Sequence, residues 1–509
     1  MDMQDRIDCD VLVVGGGING AGIARDAAGR GLRVVLCEKD DLASHTSSAS
    51  TKLIHGGLRY LEHYEFGLVR KALIEREVLL RSAPHIMRPL RFVMPHDAGQ
   101  RPAWMIRAGM LLYDHLARRE LLPDSKAIDL RKHEAGRPLK HDFTRGFAYS
   151  DGRVDDARLV ALNAVDAAEK GATILTRTRC VSAEQQGSHW QVRLERKDGR
   201  NIDVDARCIV NAAGPWVLDF LHAAAHHSAS RSLRLIKGSH IVVKSLFDHP
   251  NAYIFQHPDG RIVFAIPYER DFTLIGTTDI EYHGDADKVA IDTDEIAYLC
   301  ALSNHYFSKT ITPQDVIWAY SGARPLVDDA HSDASSITRD YRFEYDDEGA
   351  PLLSVFGGKI TTFRKLAEQA VDLIAPALSN RHGAWTEKAC LPGGDVSGPQ
   401  PNNRSVLEFD TFIQRLQSTY AWLPSQLAER YAHAYGTRIH ALLHGRSRIE
   451  DMGEEILPEL FAAEAEYLVR NEWAVRAEDI LWRRSKLGLH LSAESASILD
   501  AWLERRTER

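Results

Sequence analysis

Gly15, Gly17 and Gly20 form a GxGxxG run inside GGGINGAG, directly after the apolar stretch Cys9 to Val14 and at the start of a helix-like stretch, Ile18 to Arg30. Residues without side chains let such a turn close and let a diphosphate approach the backbone, while the helix N-terminus offers N–H donors and the positive end of its dipole. Glu38 closes a second apolar run, Arg33 to Leu36, near the distance of about 20 residues at which an acid meets the ribose hydroxyls. Its charge repels a 2′-phosphate, which disfavours NADP. This unit by itself serves FAD and NAD alike. Two further glycine turns, Ala213-Gly214-Pro215 and Gly357-Gly358-Lys359, sit at apparent strand ends. NAD normally needs only the first turn, whereas a dinucleotide stretched across a whole domain uses several, so FAD is favoured.

The elements that must position these turns follow from the hydrophobic pattern. The opening strand, helix and strand form a βαβ unit. A hydroxyl-rich loop follows, with Ser44, Thr46, Ser47, Ser48 and Ser50, and then a helical stretch from Phe66 to Ser82. Because this loop leaves the second strand of the nucleotide unit, its hydroxyls are expected to line the diphosphate and ribityl region of the cofactor. Helix-like residues Asp155 to Lys170, the strand-like Thr173 to Leu175, and the buried-strand pattern of Arg207 to Asn211 return the chain to this layer. Between Leu233 and Ile280, short alternating segments separated by turns read as an antiparallel sheet. Leu352 to Ala370 reads as strand, glycine turn and helix, and a polar stretch from Leu391 to Arg404 precedes a region of helical periodicity.

The expected organisation is an α/β FAD-binding domain formed by residues 1–83, 148–230 and 331–390. An α+β substrate domain is expected at 84–147 and 231–330, a linker at 391–404, and a helical C-terminal domain at 405–509. A chain of 509 residues is long enough for several cores. A net charge of −8 leaves no global basic field for nucleic acid, so any anion site is local. The six cysteines are scattered without a CxxC pair and no signal peptide is recognised, which together read as reduced thiols in a cytosolic setting. No metal site is read from the sequence. No apolar run reaches the length of a transmembrane helix, so membrane contact is expected to be peripheral. The stretch from Arg101 to Leu122 interleaves Trp104, Met105, Ile106, Met110, Leu111 and Leu112 with arginines. It suits an anionic membrane surface, or a helix packed on its own core.

Longer motifs are more specific: GGGINGAGIARD, TSSASTKLIHGGLRYLEHYEFGLV, VDDARLV, RLIKGSHIVV, IGTTD, YSGARPL, ITRD and SVFGGKITTFRKLAE, in this order. The chain resembles the aerobic, quinone-linked, FAD-dependent sn-glycerol-3-phosphate dehydrogenases across about residues 8 to 395, and its tail, with WAVRAEDILWRRSKLG, resembles their C-terminal domain. The resemblance implies a glutathione-reductase-like FAD domain interleaved with an antiparallel-sheet substrate domain. It implies oxidation of sn-glycerol 3-phosphate to dihydroxyacetone phosphate in glycerol metabolism, and electron delivery to ubiquinone or another membrane quinone. It also implies peripheral contact with lipid at the cytoplasmic face of the inner membrane, and a homodimer as one oligomeric form.

Such a reaction removes a hydride from carbon and a proton from oxygen. His55, which the resemblance places beside the flavin, is the leading base, since an imidazole titrates near neutral pH. Lys359 would polarise the reacting oxygen or balance charge on the reduced flavin. A dianionic phosphate suits guanidinium forks, so Arg59, Arg324 and Arg339 are the expected clamp, with Arg324 also at the reacting centre. Tyr60 and Thr277 could bond the substrate or serve as core hydroxyls. Gly15, Gly17, Gly20, Glu38, Ser44, Thr46, Ser47, Ser48, Gly214, Gly357, Gly358, Lys359 and Thr361 are the expected cofactor contacts. Related oxidases that use oxygen, amine-oxidising relatives whose substrate carries a carboxylate, and a non-catalytic flavin sensor remain as alternatives.

Overall fold

The computed structural model describes residues 5–97, 99–228, 231–256, 261–327 and 340–507. The chain opens with strand β1 (Asp5–Val14), helix α1 (Ile18–Gly29) and strand β2 (Val34–Cys37). Both strands are almost wholly apolar and lie side by side in parallel, from Val11↔Val34 to Val14↔Cys37. Strands buried on both faces lack alternation, which is why their sequence is a continuous apolar run.

These strands sit inside the first sheet. Its order runs Arg342–Asp346, Leu352–Phe356, Asn201–Asn211, β1, β2, Thr173–Leu175. From Leu352–Phe356 onward the neighbours are parallel, and an antiparallel hairpin, Thr178–Gln186 with His189–Arg196, attaches to Asn201–Asn211. Helix α1 packs between Asp156–Glu169 and Phe363–Ile374. Their alanines, leucines and valines close over the sheet in one core with Val11, Val13, Leu36 and Val210. The C-terminal ends of β1, β2, Asn201–Asn211 and Leu352–Phe356 therefore emerge along one edge, where open α/β sheets bind ligands.

The second sheet is antiparallel except at one joint, where Ala252–Gln256 lies parallel to Met87–Pro95. It also takes Leu53–Ile54 and the whole of Arg145–Val154. The latter pairs with Met87–Pro95 from Met87↔Val154 to Pro95↔Gly146. The sheet thus crosses the boundary expected at 147/148, because this strand has an unbroken partner on both sides of it. Its longest pairing joins Leu233–Lys244 to Val316–Val327 and sets His240 opposite Tyr320 and Ile236 opposite Arg324.

Residues beyond 404 form helices around a separate core that includes Phe412, Leu427, Tyr431, Tyr435, Leu468, Ile480 and Trp502. A two-stranded hairpin, Glu455–Leu457 with Leu460–Phe461, interrupts the helices that the periodicity leads one to expect.

Candidate active site

The edge of the first sheet opens into a cavity of about 610 Å³. At its floor β1 gives way to Gly15, whose φ of +111° is a conformation that side-chain-bearing residues rarely adopt. A Cβ at Gly15 would lie 2.5 Å from the Ala212 carbonyl oxygen, and one at Gly20 would collide with the carbonyl oxygen of Gly15. Gly20 is thus a packing residue inside α1, while Gly15 and Gly17 line the cavity. Gly17 caps α1 without a side-chain hydrogen bond, and the first turn holds no acidic residue. The positive end of the helix therefore faces the cavity, with no acidic side chain of its own first turn beside it. The N–H of Ile18 donates to Ser47 Oγ at 2.9 Å.

Glu38 is buried at the end of β2. Its carboxylate accepts the N–H of Gly16 at 2.6 Å and that of Asp40 at 2.9 Å, and burial pushes its carboxyl up from the usual range. Ser44, Thr46 and Ser47 line the same cavity. Thr46 Oγ1 donates to the Ala323 carbonyl at 2.7 Å, which ties this loop to the second sheet. Ser48 and Ser50 part company. Ser48 Oγ bonds the His45 carbonyl within its own turn and is absent from the lining, whereas Ser50 lines the cavity while its hydroxyl donates to Asp156 at 2.7 Å. Gly214, Gly357, Gly358 and Thr361 complete this end. Among the described residues, Glu38, Asp40 and His45 bring ligand-type atoms within 4.8 Å of one another. His45 Nε2 is hydrogen-bonded to Asp40 at 2.9 Å and Glu38 is held by backbone N–H groups, so these atoms already serve the loop after β2.

Side chains complete the lining: His55, Tyr60, Thr277, Arg324 and Lys359 all border the same cavity. His55 meets Phe264 edge to face at 6.1 Å, and Lys359 Nζ lies 3.8 Å from the centre of the Tyr60 ring. Arg324 is about a third exposed and sits 3.1 Å from Asp279. Thr277 Oγ1 donates to the Thr278 carbonyl at 2.9 Å. Arg59, next to Tyr60 on the 3-10 turn Leu58–His63, is not among the lining residues. Arg339 lies outside the described residues.

Two wall residues escaped the sequence reading. A Cβ on Gly238 would lie 2.7 Å from Thr277 Oγ1 and would overlap Arg324 Nη2, so the missing side chain leaves space that both groups border. A glycine inside a strand is the signal that could have found it, since it marks close approach of another group. His240, two residues on, is buried against Tyr320 with ring centres 4.8 Å apart, and its Nε2 lies 3.0 Å from Thr51 Oγ1. Burial, then the charges of Lys52 and Arg324, hold its pKa well below that of an ordinary imidazole, so this ring in the cavity wall is neutral. In a strand buried almost throughout, it reads as core.

A parallel sheet with a glycine-capped helix N-terminus at its edge, together with cations and hydroxyls lining the same cavity, defines a dinucleotide-dependent redox enzyme. The chain belongs to the FAD dependent oxidoreductase family, whose model matches residues 10–364, and residues 384–505 match the C-terminal domain of alpha-glycerophosphate oxidase. It is 51% identical over 504 residues to D-erythritol 1-phosphate dehydrogenase of Brucella abortus, covering 99% of each chain. It is 53% identical over 497 residues to glycerol-3-phosphate dehydrogenase of Pseudomonas aeruginosa, covering 97% of this chain and 95% of that one. The glycerol-3-phosphate dehydrogenase of Bacillus halodurans, solved in complex with FAD, superposes with a TM-score of 0.78 at 28% identity, covering 98% of this chain and 90% of that one. The cofactor is FAD, and the cavity suits it. The turn at Gly15 and the glycine N-cap of α1 at Gly17 keep side chains away from the backbone that an extended diphosphate approaches.

Proposed function

We propose that this enzyme oxidises the secondary hydroxyl of sn-glycerol 3-phosphate to dihydroxyacetone phosphate. The observation that carries the reading is that Arg324, Lys359, Thr277, Tyr60 and His55 line the same cavity as the glycine turns. A phosphate needs a cation with directed donors, and a departing hydride needs a base to take the hydroxyl proton.

Bound FAD supplies the two-electron acceptor for the hydride. Gly15, Gly17 and the N-terminus of α1 would hold its diphosphate, Glu38 its adenosine ribose, and Ser44, Thr46, Ser47, Gly214, Gly357, Gly358 and Thr361 the stretch towards the ring. Arg324 takes the substrate phosphate, with Thr277 beside it across the space left by Gly238. His55 accepts the hydroxyl proton. Lys359, held over the Tyr60 ring, places positive charge by the reacting oxygen. The parts of Arg59 and Arg339 in the clamp rest on the family likeness of their motifs.

Anaerobic addition of sn-glycerol 3-phosphate should bleach the flavin absorbance of the purified protein, and glycerol and D-amino acids should not. No bleaching by any polyol phosphate would sink the reading. The Brucella abortus relative supports a second substrate in the same class, D-erythritol 1-phosphate. Comparing kcat/KM for the two phosphates decides between them.

The proposed electron acceptor is a membrane quinone, reached at the cytoplasmic face of the inner membrane. On helix Ala103–His115, Trp104, Leu111 and Leu112 recur at helical spacing and are exposed, Trp104 by 71%. Arg101 and Arg118 flank them, and the turn bearing the exposed Tyr64 packs alongside. Such a stripe with basic flanks suits the interface of an anionic bilayer. No helix among the described residues is long and apolar enough to span a membrane. Cosedimentation with anionic vesicles, together with reduction of a short-chain quinone without release of peroxide, tests this part. Peroxide in place of quinol would assign oxygen as the acceptor.

A further inference from the structure

One short stretch of the C-terminal region reaches back across the molecule. Residues Asp479–Arg484 form a single π-helical turn, and the side chains of Trp482, Arg483, Arg484 and Lys486 all end on the loop after β2 or on the residues that support it. Arg483 Nε donates to Asp41 Oδ2 at 2.7 Å, and Arg484 grips the same carboxylate with both terminal nitrogens, at 2.9 and 2.8 Å. The Arg484 and Asp41 side chains are buried, at 0% and 1% exposure. Asp41 is joined to the cavity lining through its own backbone, since its N–H donates to Ser44 Oγ and its carbonyl accepts the same hydroxyl.

The other two side chains act further along the loop. Lys486 pairs with Asp155 at 3.2 Å. The neighbouring Asp156 holds Lys52 at 2.8 Å and accepts both the N–H and the hydroxyl of Ser50. Trp482 stacks on Trp318 with ring centres 4.5 Å apart, and Trp318 leans on Tyr320, whose hydroxyl donates to the Ser50 carbonyl at 2.9 Å. None of these four C-terminal side chains lines the cavity.

We propose that the C-terminal region is a clasp that pre-organises the cofactor loop, so that FAD affinity depends on Trp482, Arg483, Arg484 and Lys486 without their touching the cofactor. A loop leaving a strand end is otherwise among the least ordered parts of a fold, and ordering it on binding would subtract from affinity. Buried ion pairs are weak sources of net stability because desolvation opposes them, whereas a two-pronged guanidinium fixes geometry. Placing two arginines on one loop carboxylate therefore makes sense as orientation. These are positioning residues, and the role assigned here goes beyond the choice of substrate or acceptor.

The test is fluorescence titration of the flavin-stripped full chain with FAD. Asp41→Asn keeps the shape of the side chain and removes its charge. It should raise the FAD dissociation constant about tenfold, the scale of one lost charge-assisted contact. Arg430→Met is the control. It breaks the largely buried pair of Arg430 with Glu464, 2.7 Å apart and internal to the C-terminal region, so it should lower the melting temperature while leaving the dissociation constant in place. An unchanged constant in Asp41→Asn, or an equal rise in Arg430→Met, overturns the proposal. Should Asp41→Asn not fold, Trp482→Leu removes an uncharged prop of the same loop. A raised constant there supports the clasp and an unchanged one refutes it.

Discussion

The two ends of the cavity are made in different ways. The cofactor end is backbone: the turn at Gly15, the N-terminus of α1 and the loop after β2 lie within one stretch of the first sheet. The rest of the lining is side chains, drawn from His55 and Tyr60, His240, Thr277, Arg324 and Lys359 on separate elements, which the proposed function assigns to the substrate. A backbone site is defined by what is missing, since a Cβ at Gly15 would press on Ala212. A site made of side chains is defined by what borders it, and Arg324 and Thr277 both border the space left open at Gly238. The first kind of site serves one cofactor across a family, while the second can be retuned for a new substrate by exchanging single residues.

The largest effect expected from breaking this contrast is at the wall. Arg324→Ala should lower kcat/KM for the phosphate substrate by about a thousandfold, roughly 4 kcal/mol, as expected when one partner of a charge pair is truncated. FAD binding should persist, which steady-state kinetics beside a flavin spectrum will show. At the cofactor end the order should reverse. Gly20→Ala, whose new methyl meets the Gly15 carbonyl, should cost about 1–3 kcal/mol of stability through overpacking and weaken FAD retention. Thermal melting with and without added FAD reads both.

The smallest effect sharpens the comparison through pH. His240 in the substrate wall stays neutral, and burial also holds His85 and His433, near the C-terminal region, down to about 3. Unfolded histidines bind a proton near 6.5, so the unfolded state takes up protons that the folded state refuses. The contribution of these groups is therefore present above pH 6.5 and is lost progressively as pH falls towards the folded values. By about pH 5.5 each costs about 1.4 kcal/mol. Denaturant unfolding across this range should show the loss, and His85→Gln should remove about a third of it. A stability that stays level from neutral pH to about 5 would contradict the neutral assignments.

Much of the cofactor end was legible in the sequence because its determinants are local. GxGxxG and Glu38 follow strand-like runs, and Phe66–Ser82 is a helix over the residues its periodicity marks. Ser44, Thr46 and Ser47 line the cavity as their position after β2 suggests, but Ser48 among them turns away. At the wall, Arg59 and Tyr60 are adjacent in one 3-10 turn, and nothing in their order tells which faces the cavity. His240 passes for core because its strand is buried almost throughout.

What the sequence determined by itself is therefore the set of local geometries: where strands run buried, where a turn lacks side chains, where a helix begins. These depend on near neighbours, through φ/ψ preference, periodicity and capping. The tertiary structure alone decided which distant side chains share a wall, and that Arg484 grips Asp41 across 443 positions of chain. Such meetings depend on sheet register and on the packing of whole elements, which no short window of sequence contains.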